Sequence, residues 1–206
     1  LYEKADRIGG HTHTVTVDDP SGPLPVYTGF IVYNTTTYPL LTRLFEELRI
    51  KTEWSDMSFG VQNLDTGLEW AGHNLGSVFA QKKNLLRPAF WRMVLEILRF
   101  NRTALRRAQE NSEEISLGDF LRNDRYNNYF IDNYIVPMGS AVWSTPARNM
   151  LDFPARTFIE FFSNHGFLEV ERRVRWRTVS GGSHSYLKAI LDEAKPEIQT
   201  AQAVTS

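Results

Sequence analysis

The chain opens LYEKADRIGGHTHTVTV, and the glycine pair at positions 9 and 10 restricts its fold more than any other feature. Adjacent glycines permit positive φ and a close approach of backbone to backbone or to a ligand. Ahead of them, Leu1-Tyr2 read as the last residues of a buried strand, with Glu3 at its carboxyl end. Behind them, HTHTVTV alternates and is dominated by β-branched residues, which predicts a strand. Three readings compete for such a segment: a metal site, a phosphate loop, or the second half of a dinucleotide-binding motif. In that motif the second strand of a βαβ unit ends in an acidic residue that accepts hydrogen bonds from ribose hydroxyls. The acid lies roughly 20 residues beyond a glycine-rich turn, which this reading places upstream of Leu1. Glu3 has the required setting, and Arg7 can fork onto phosphate oxygens. A charged turn followed by a Gly-Gly bend would give the same string.

Further along, DDPSGP (18–23) reads as a tight turn and LPVY (24–27) as the returning strand. Apolar residues at 40, 41, 44, 45 and 48 predict a helix over 37–50, with Thr37 as its cap and Pro39 in its first turn. Strands are expected near 58–63 and 67–71, joined by LDTG. Residues 72–86 read mostly as loop. The longest helix is expected over 88–109, with Phe90, Met93, Val94, Ile97, Leu98, Asn101 and Leu105 on one stripe. SLGDFLRN (116–123) starts a short helix capped by Ser116, with Asp119 in the capping-box position. Helices follow at 125–134, 136–143 and 154–164. RWRTV (175–179) reads as a strand that leads through Gly181-Gly182 into a helix over 183–194, and EIQTAQ begins another strand.

Composition narrows the chemistry. A formal net charge of −1 on 206 residues gives the chain as a whole no nucleic-acid footprint. The absence of cysteine removes disulfides, thiolate catalysis and zinc–thiolate sites. No apolar run approaches the ~20 residues that span a bilayer. His11 and His13 share a face if they lie on one strand, but no third ligand accompanies them, and no metal is expected. Ser183-His184-Ser185 fails the G-x-S-x-G elbow pattern. Residues 82–107 carry eight cations against the single acid Glu96, interleaved with Phe90, Trp91 and Phe100. That pattern suits peripheral contact with an anionic membrane, or a solvated helix face partly neutralised by acids downstream. Trp54, Trp70, Trp143 and Trp176 read first as packing residues, with one or two available to line a substrate cavity.

The string E-x-x-x-R-x-G-G is similar to the continuation of the FAD-binding fingerprint in the flavin amine oxidase, protoporphyrinogen oxidase and phytoene desaturase superfamily. Further segments resemble successive blocks of one bacterial branch, the amine-oxidase-like flavoproteins described as NAD/FAD-binding. They include RIGGHTHTV, TGFIVYNTTTYPLLTRLFEEL, SDMSFGVQ, GLEWAG, VFAQKKNLLRPAFWRMVLEILRFNR and WRTVSGGSHSYLKAIL, and together they cover nearly the whole chain. The resemblance implies an α/β fold, α+β within this chain. It combines an incomplete FAD/NAD(P)-binding Rossmann-like domain (1–36 and 171–206) with a helix-rich substrate domain (37–170). The G-x-G-x-x-G turn is then expected upstream, and the closing part of the FAD domain downstream.

Residue by residue, the resemblance gives Glu3 to the ribose, Arg7, Gly9 and Gly10 to the diphosphate, and His11 and Thr12 to the path toward the flavin. VYTGF matches a block often written V-D-T-G-F. It places Thr28, Gly29 and Phe30 by the cofactor, with Gly29 admitting the isoalloxazine ring, while Tyr27 replaces the acid. SGGSHSY resembles the Gly-Gly turn before a helix near substrate and flavin. The implied cofactor is non-covalent FAD. The implied activity is amine-oxidase-type hydride transfer to flavin from a small-molecule substrate, in the cytoplasm. The alternatives are a desaturase of lipid acyl chains at a membrane surface and a non-catalytic piece that holds no flavin. No catalytic residue stands out.

Overall fold

A computed structural model describes residues 1–29, 32–110, 114–169 and 174–204. The elements in chain order are β1 (Thr14–Asp19), β2 (Gly22–Tyr27), α1 (Pro39–Glu47), β3 (Thr52–Ser55), β4 (Gly60–Asn63), β5 (Leu68–Ala71), α2 (Leu75–Val78) and α3 (Pro88–Glu110). They continue with α4 (Leu117–Asn123), α5 (Asn128–Phe130), α6 (Val136–Trp143), α7 (Ala155–Asn164), β6 (Trp176–Val179) and α8 (His184–Ala194). Short 3-10 helices fill Lys82–Leu86 and Ala147–Asp152, and a π-helical turn over Ile131–Ile135 joins α5 to α6. The chain divides into two compact units, Leu1–Asp56 with Val174–Ser206, and Met57–Arg173. Residues 37–56 therefore lie with the first unit, whereas the sequence reading put them with the helix-rich domain. No described helix is long and apolar enough to cross a membrane.

In the first unit, β1 and β2 pair antiparallel from Thr14↔Tyr27 to Asp19↔Gly22. Only Pro20 and Ser21 separate the strands. Asp19 Oδ1 accepts the Ser21 backbone N–H and hydroxyl, and these bonds hold its carboxyl below the usual range. Helix α1 starts later than expected. Its N-cap position is Tyr38, not Thr37. Asn34 Oδ1 instead accepts the N–H groups of Thr36 and Thr37, in an Asx turn that leads into Pro39. One face of α1 buries Phe45 against Tyr33, Val179 and Tyr186 in a small core, while Leu40 at the start of the expected stripe is 79% exposed.

Strand β3 pairs antiparallel with β6 from Thr52↔Val179 to Ser55↔Trp176. It lacks a local partner, and so it escaped the sequence reading. Tyr2 forms a parallel bridge to Gln199, which places the two expected terminal strands side by side.

The second unit holds the larger core. Hairpin β4–β5 closes through Leu64–Gly67, with Gly67 at φ +60° and Asn63 Oδ1 accepting the N–H groups of Asp65 and Thr66. The expected loop over 72–86 contains α2, capped reciprocally by Asn74 and Ser77. Helix α3 buries Phe90, Met93, Glu96, Phe100, Ala104 and Ala108. This line is rotated from the expected stripe and brings the small Ala104 and Ala108 to the buried side. Ser116 caps α4 as expected, accepting from the Asp119 N–H at 3.0 Å, while Asp119 also accepts from the Ser116 hydroxyl and from Arg122.

The π turn is fixed by Asn133, which is 3% exposed. Its Oδ1 accepts from Asn63 Nδ2 at 2.9 Å, its Nδ2 donates to the Tyr129 carbonyl at 2.9 Å, and its own carbonyl accepts from Trp70 Nε1 at 3.2 Å. Asn133→Ala leaves the Asn63 amide and the Tyr129 carbonyl without their partner. The expected cost is about 2 kcal/mol, read as a lower midpoint in urea unfolding.

Candidate cofactor-binding site

Three loops of the first unit meet around the glycine pair. Gly9 and Gly10 take φ values of +108° and +54°. The turn they force uses up residues 11–13, with Thr12 N donating to the Gly9 carbonyl at 2.8 Å and His13 N to the His11 carbonyl at 2.9 Å. Strand β1 therefore begins only at Thr14, and the histidines do not share a strand face as expected. Among the described residues no group of three or more metal-ligating side chains comes together.

The second loop follows β2. Thr28 N donates to the His13 carbonyl at 3.0 Å, and Thr28 Oγ1 lies 2.7 Å from His13 Nδ1. Gly29 then presses on the first loop, where an added Cβ would sit 1.9 Å from the His11 carbonyl oxygen. Gly29 thus admits a neighbouring peptide on that side, a role distinct from admitting a flavin ring. Phe30 lies outside the described residues. Tyr27, in place of the acid, donates its hydroxyl to the Val179 carbonyl at 2.7 Å and ties β2 to β6.

The third loop joins β6 to α8. Gly181 and Gly182 have φ of +78° and +106°. A Cβ on Gly182 would lie 2.8 Å from Thr14 Oγ1, the atom that also accepts the His184 N–H at 3.4 Å. On the first turn of α8, Tyr186 shares a 2.5 Å hydrogen bond with Thr12 Oγ1. The next residue, Leu187, covers Gly9, its Cδ2 2.6 Å from where a Cβ would be. Ser183 is 1% exposed and lies 3.4 Å from Thr14 Oγ1, so it is a buried loop tie with no access for a substrate carbonyl.

Gly10 differs from the other glycines here. No atom lies within 4 Å of its virtual Cβ, and the residue is exposed. Of the charged groups the sequence singled out, Arg7 reaches this turn directly. Arg7, an exposed residue, donates through Nη1 to the Gly10 carbonyl at 3.0 Å, which holds the guanidinium on the turn while using one of its five N–H donors. Glu3 Oε1 accepts the Ala5 N–H at 2.8 Å, while its backbone is clamped by Gln199 and Gln202. Glu3 and Arg7 belong to the same loop as this open turn, and a carboxylate with a guanidinium is the acceptor and donor set that a ribose plus a diphosphate needs. The residues present therefore fit a dinucleotide. Glu3, Arg7, Gly9, Gly10, His11 and Thr12 are one continuous loop, and contacts through His11 and His13 bring Thr28 and Gly29 to it. Thr14, Tyr186 and Leu187 complete the junction. The string containing Ser183 and Tyr186 was legible, but its partner Thr14, more than 160 residues away, carries no local mark.

The fold is similar to that of solved putrescine oxidases. The enzyme bound to putrescine superposes with a TM-score of 0.59 at 18% identity, covering 97% of this chain and 44% of that one. A double mutant from a redesign of cofactor binding in putrescine oxidase gives 0.58 at 17%, with the same coverage. This chain thus spans less than half the length of those proteins. No curated protein matches it by sequence. Over residues 1–206 the sequence matches the family described as flavin containing amine oxidoreductase, and the chain belongs to that family.

Proposed function

We propose that this chain carries cofactor-binding residues of an FAD-dependent oxidoreductase of the amine-oxidase type, acting on an amine. The observation that carries this reading is the open Gly10 turn held by Arg7, on the loop that begins at Glu3, in a member of the flavin amine oxidoreductase family. Bound FAD would supply the hydride acceptor that C–H oxidation needs, a chemistry no side chain here provides. Glu3 accepts the adenosine ribose hydroxyls. Arg7 and the Gly9-Gly10 backbone receive the diphosphate. The junction of Thr28-Gly29 with His11 and His13 sets the direction in which the loop leaves the cofactor. The chain's contribution is to hold and orient, and none of its residues is assigned as a general base.

The test is an FAD titration followed by quenching of flavin fluorescence, with FMN in parallel. Wild-type protein is expected to prefer FAD, because FMN has no adenosine ribose for Glu3 to hold. Glu3→Ala removes a charge-assisted pair and should weaken FAD about 10- to 100-fold with little change for FMN. Anaerobic addition of putrescine or another primary amine to FAD-loaded protein should then bleach the 450 nm flavin band. Folded protein that shows no FAD binding would sink the reading, as would a Glu3→Ala variant that binds FAD as wild type does.

A further inference from the structure

The region from Lys82 to Arg107 belongs to the second unit. Its charge is not internally balanced. Arg92 reaches Glu96 only at 3.9 Å, and Arg107 reaches Asp124 at 3.8 Å. Arg99 stacks over the Tyr126 ring at 3.9 Å. Lys82, Lys83, Arg102 and Arg106 pair with no carboxylate among the described residues, and the first turn of α3 contains no acid. Cations gathered at Lys82, Lys83, Arg87 and Arg92 thus crowd the positive end of a 23-residue helix dipole. A packed protein gains nothing from that arrangement by itself, and an external anion relieves it.

The same surface is unusually apolar. Leu86 is 87% exposed, Leu95 64%, Leu85 47% and Trp91 43%. On α3, Pro88, Arg92, Leu95, Arg99, Arg102 and Arg106 recur every three or four residues, so they form one outward strip opposite the buried Phe90, Met93 and Phe100. Trp91 is fixed in place, donating Nε1–H to the Leu85 carbonyl at 2.9 Å and lying 5.0 Å from Phe79. Exposed Leu and Trp set among Lys and Arg make up the composition of an interfacial helix, whose apolar groups enter the headgroup boundary while its cations meet lipid phosphates.

We propose that the outward side of residues 82–106 docks this protein on anionic lipid bilayers, with Leu86, Trp91 and Leu95 entering the interface and Lys82, Lys83, Arg92 and Arg102 held at the headgroups. The charge complementarity selects an anionic membrane over a neutral one, and the inserted apolar groups distinguish it from simple polyanion binding. The surface is independent of the flavin reading and stands whether or not FAD binds.

The test is flotation of the folded chain with phosphatidylcholine vesicles made with and without phosphatidylserine. Binding is expected only with phosphatidylserine, and it should fall sharply at about 1 M salt, where the Debye length is about 3 Å. Each cation near the surface contributes about 5-fold in partitioning. The triple variant Lys82→Gln, Lys83→Gln, Arg102→Gln should therefore lose about 100-fold, and Leu86→Ser with Leu95→Ser at least about 10-fold. All five side chains are exposed, so circular dichroism should match wild type. Arg43→Gln, an exposed cation in the first unit, should leave binding unchanged. Brominated lipids should quench wild-type fluorescence more than that of Trp91→Phe. Absence of flotation with anionic vesicles at low salt overturns the proposal. So does equal binding to neutral vesicles, or binding that survives either the charge or the leucine substitutions.

Discussion

Phe158→Ala is expected to destabilise the second unit by about 3–5 kcal/mol. Phe158 is fully buried on α7. Its ring stacks on Phe162 at 4.1 Å and lies 5.4 Å from Trp143. On the opposite side it closes over Gly139, where a Cβ would sit 2.9 Å from Phe158 Cε2 and 2.4 Å from Met150 Sδ. Helix α6 approaches α7 this closely because position 139 has no side chain. Truncation leaves a cavity with rigid aromatic walls that cannot collapse to fill it, so the transfer loss and the cavity loss add. Urea unfolding followed by tryptophan emission reads the effect, since Trp143 forms part of the wall. Phe158→Leu should cost far less, because it restores most of the volume. A loss below about 1 kcal/mol for the alanine variant would place the ring outside a close-packed core.

The second large effect is expected at Gly29. Gly29→Ala puts a methyl carbon 1.9 Å from the His11 carbonyl oxygen, a backbone atom that no rotamer change can remove. The β2 loop and the Gly9–His11 turn must then separate. We expect at least about 3 kcal/mol of lost stability in the first unit, the upper end for overpacking, together with loss of FAD binding. Gly10→Ala is the matched control. It meets open space and strains only a left-handed φ, which costs about 1–2 kcal/mol. Thermal melts of the two variants should rank them in that order. Equal effects would mean that strain in φ, and not contact between the loops, governs the site.

That contrast marks what the sequence could and could not disclose. The string from Glu3 to Gly10 displays its glycines and charges openly, since positive φ and phosphate chemistry belong to residue types at short spacing. The β1–β2 and β4–β5 hairpins were legible for the same reason, because their turns, Pro20-Ser21 and Leu64–Gly67, determine the register within a few residues. The Ser116 cap and the Gly181-Gly182 entry to α8 are local as well. Strand β3 was invisible, because TEWS has no alternation of its own and becomes a strand only when β6 pairs with it from across the chain. The same holds for Thr14. It reads as one more β-branched residue until the β6–α8 loop arrives and spends its hydroxyl on His184 and Ser183.

The sequence by itself determined the family and most of the local elements, and it singled out Glu3, Arg7, Gly9 and Gly10 as the residues proposed to meet a dinucleotide, because these readings depend on side-chain chemistry and near-neighbour spacing. Tertiary structure alone decided that Gly29 must be glycine for the sake of His11, that the Tyr27 hydroxyl donates to the Val179 carbonyl, and that α3 turns Ala104 and Ala108 inward. It also decided that Leu86 and Leu95 face out, on a stretch where Lys82, Lys83 and Arg102 meet no carboxylate among the described residues. Each of these depends on which distant segment occupies the space beside a residue, and that is set only when the whole chain has packed.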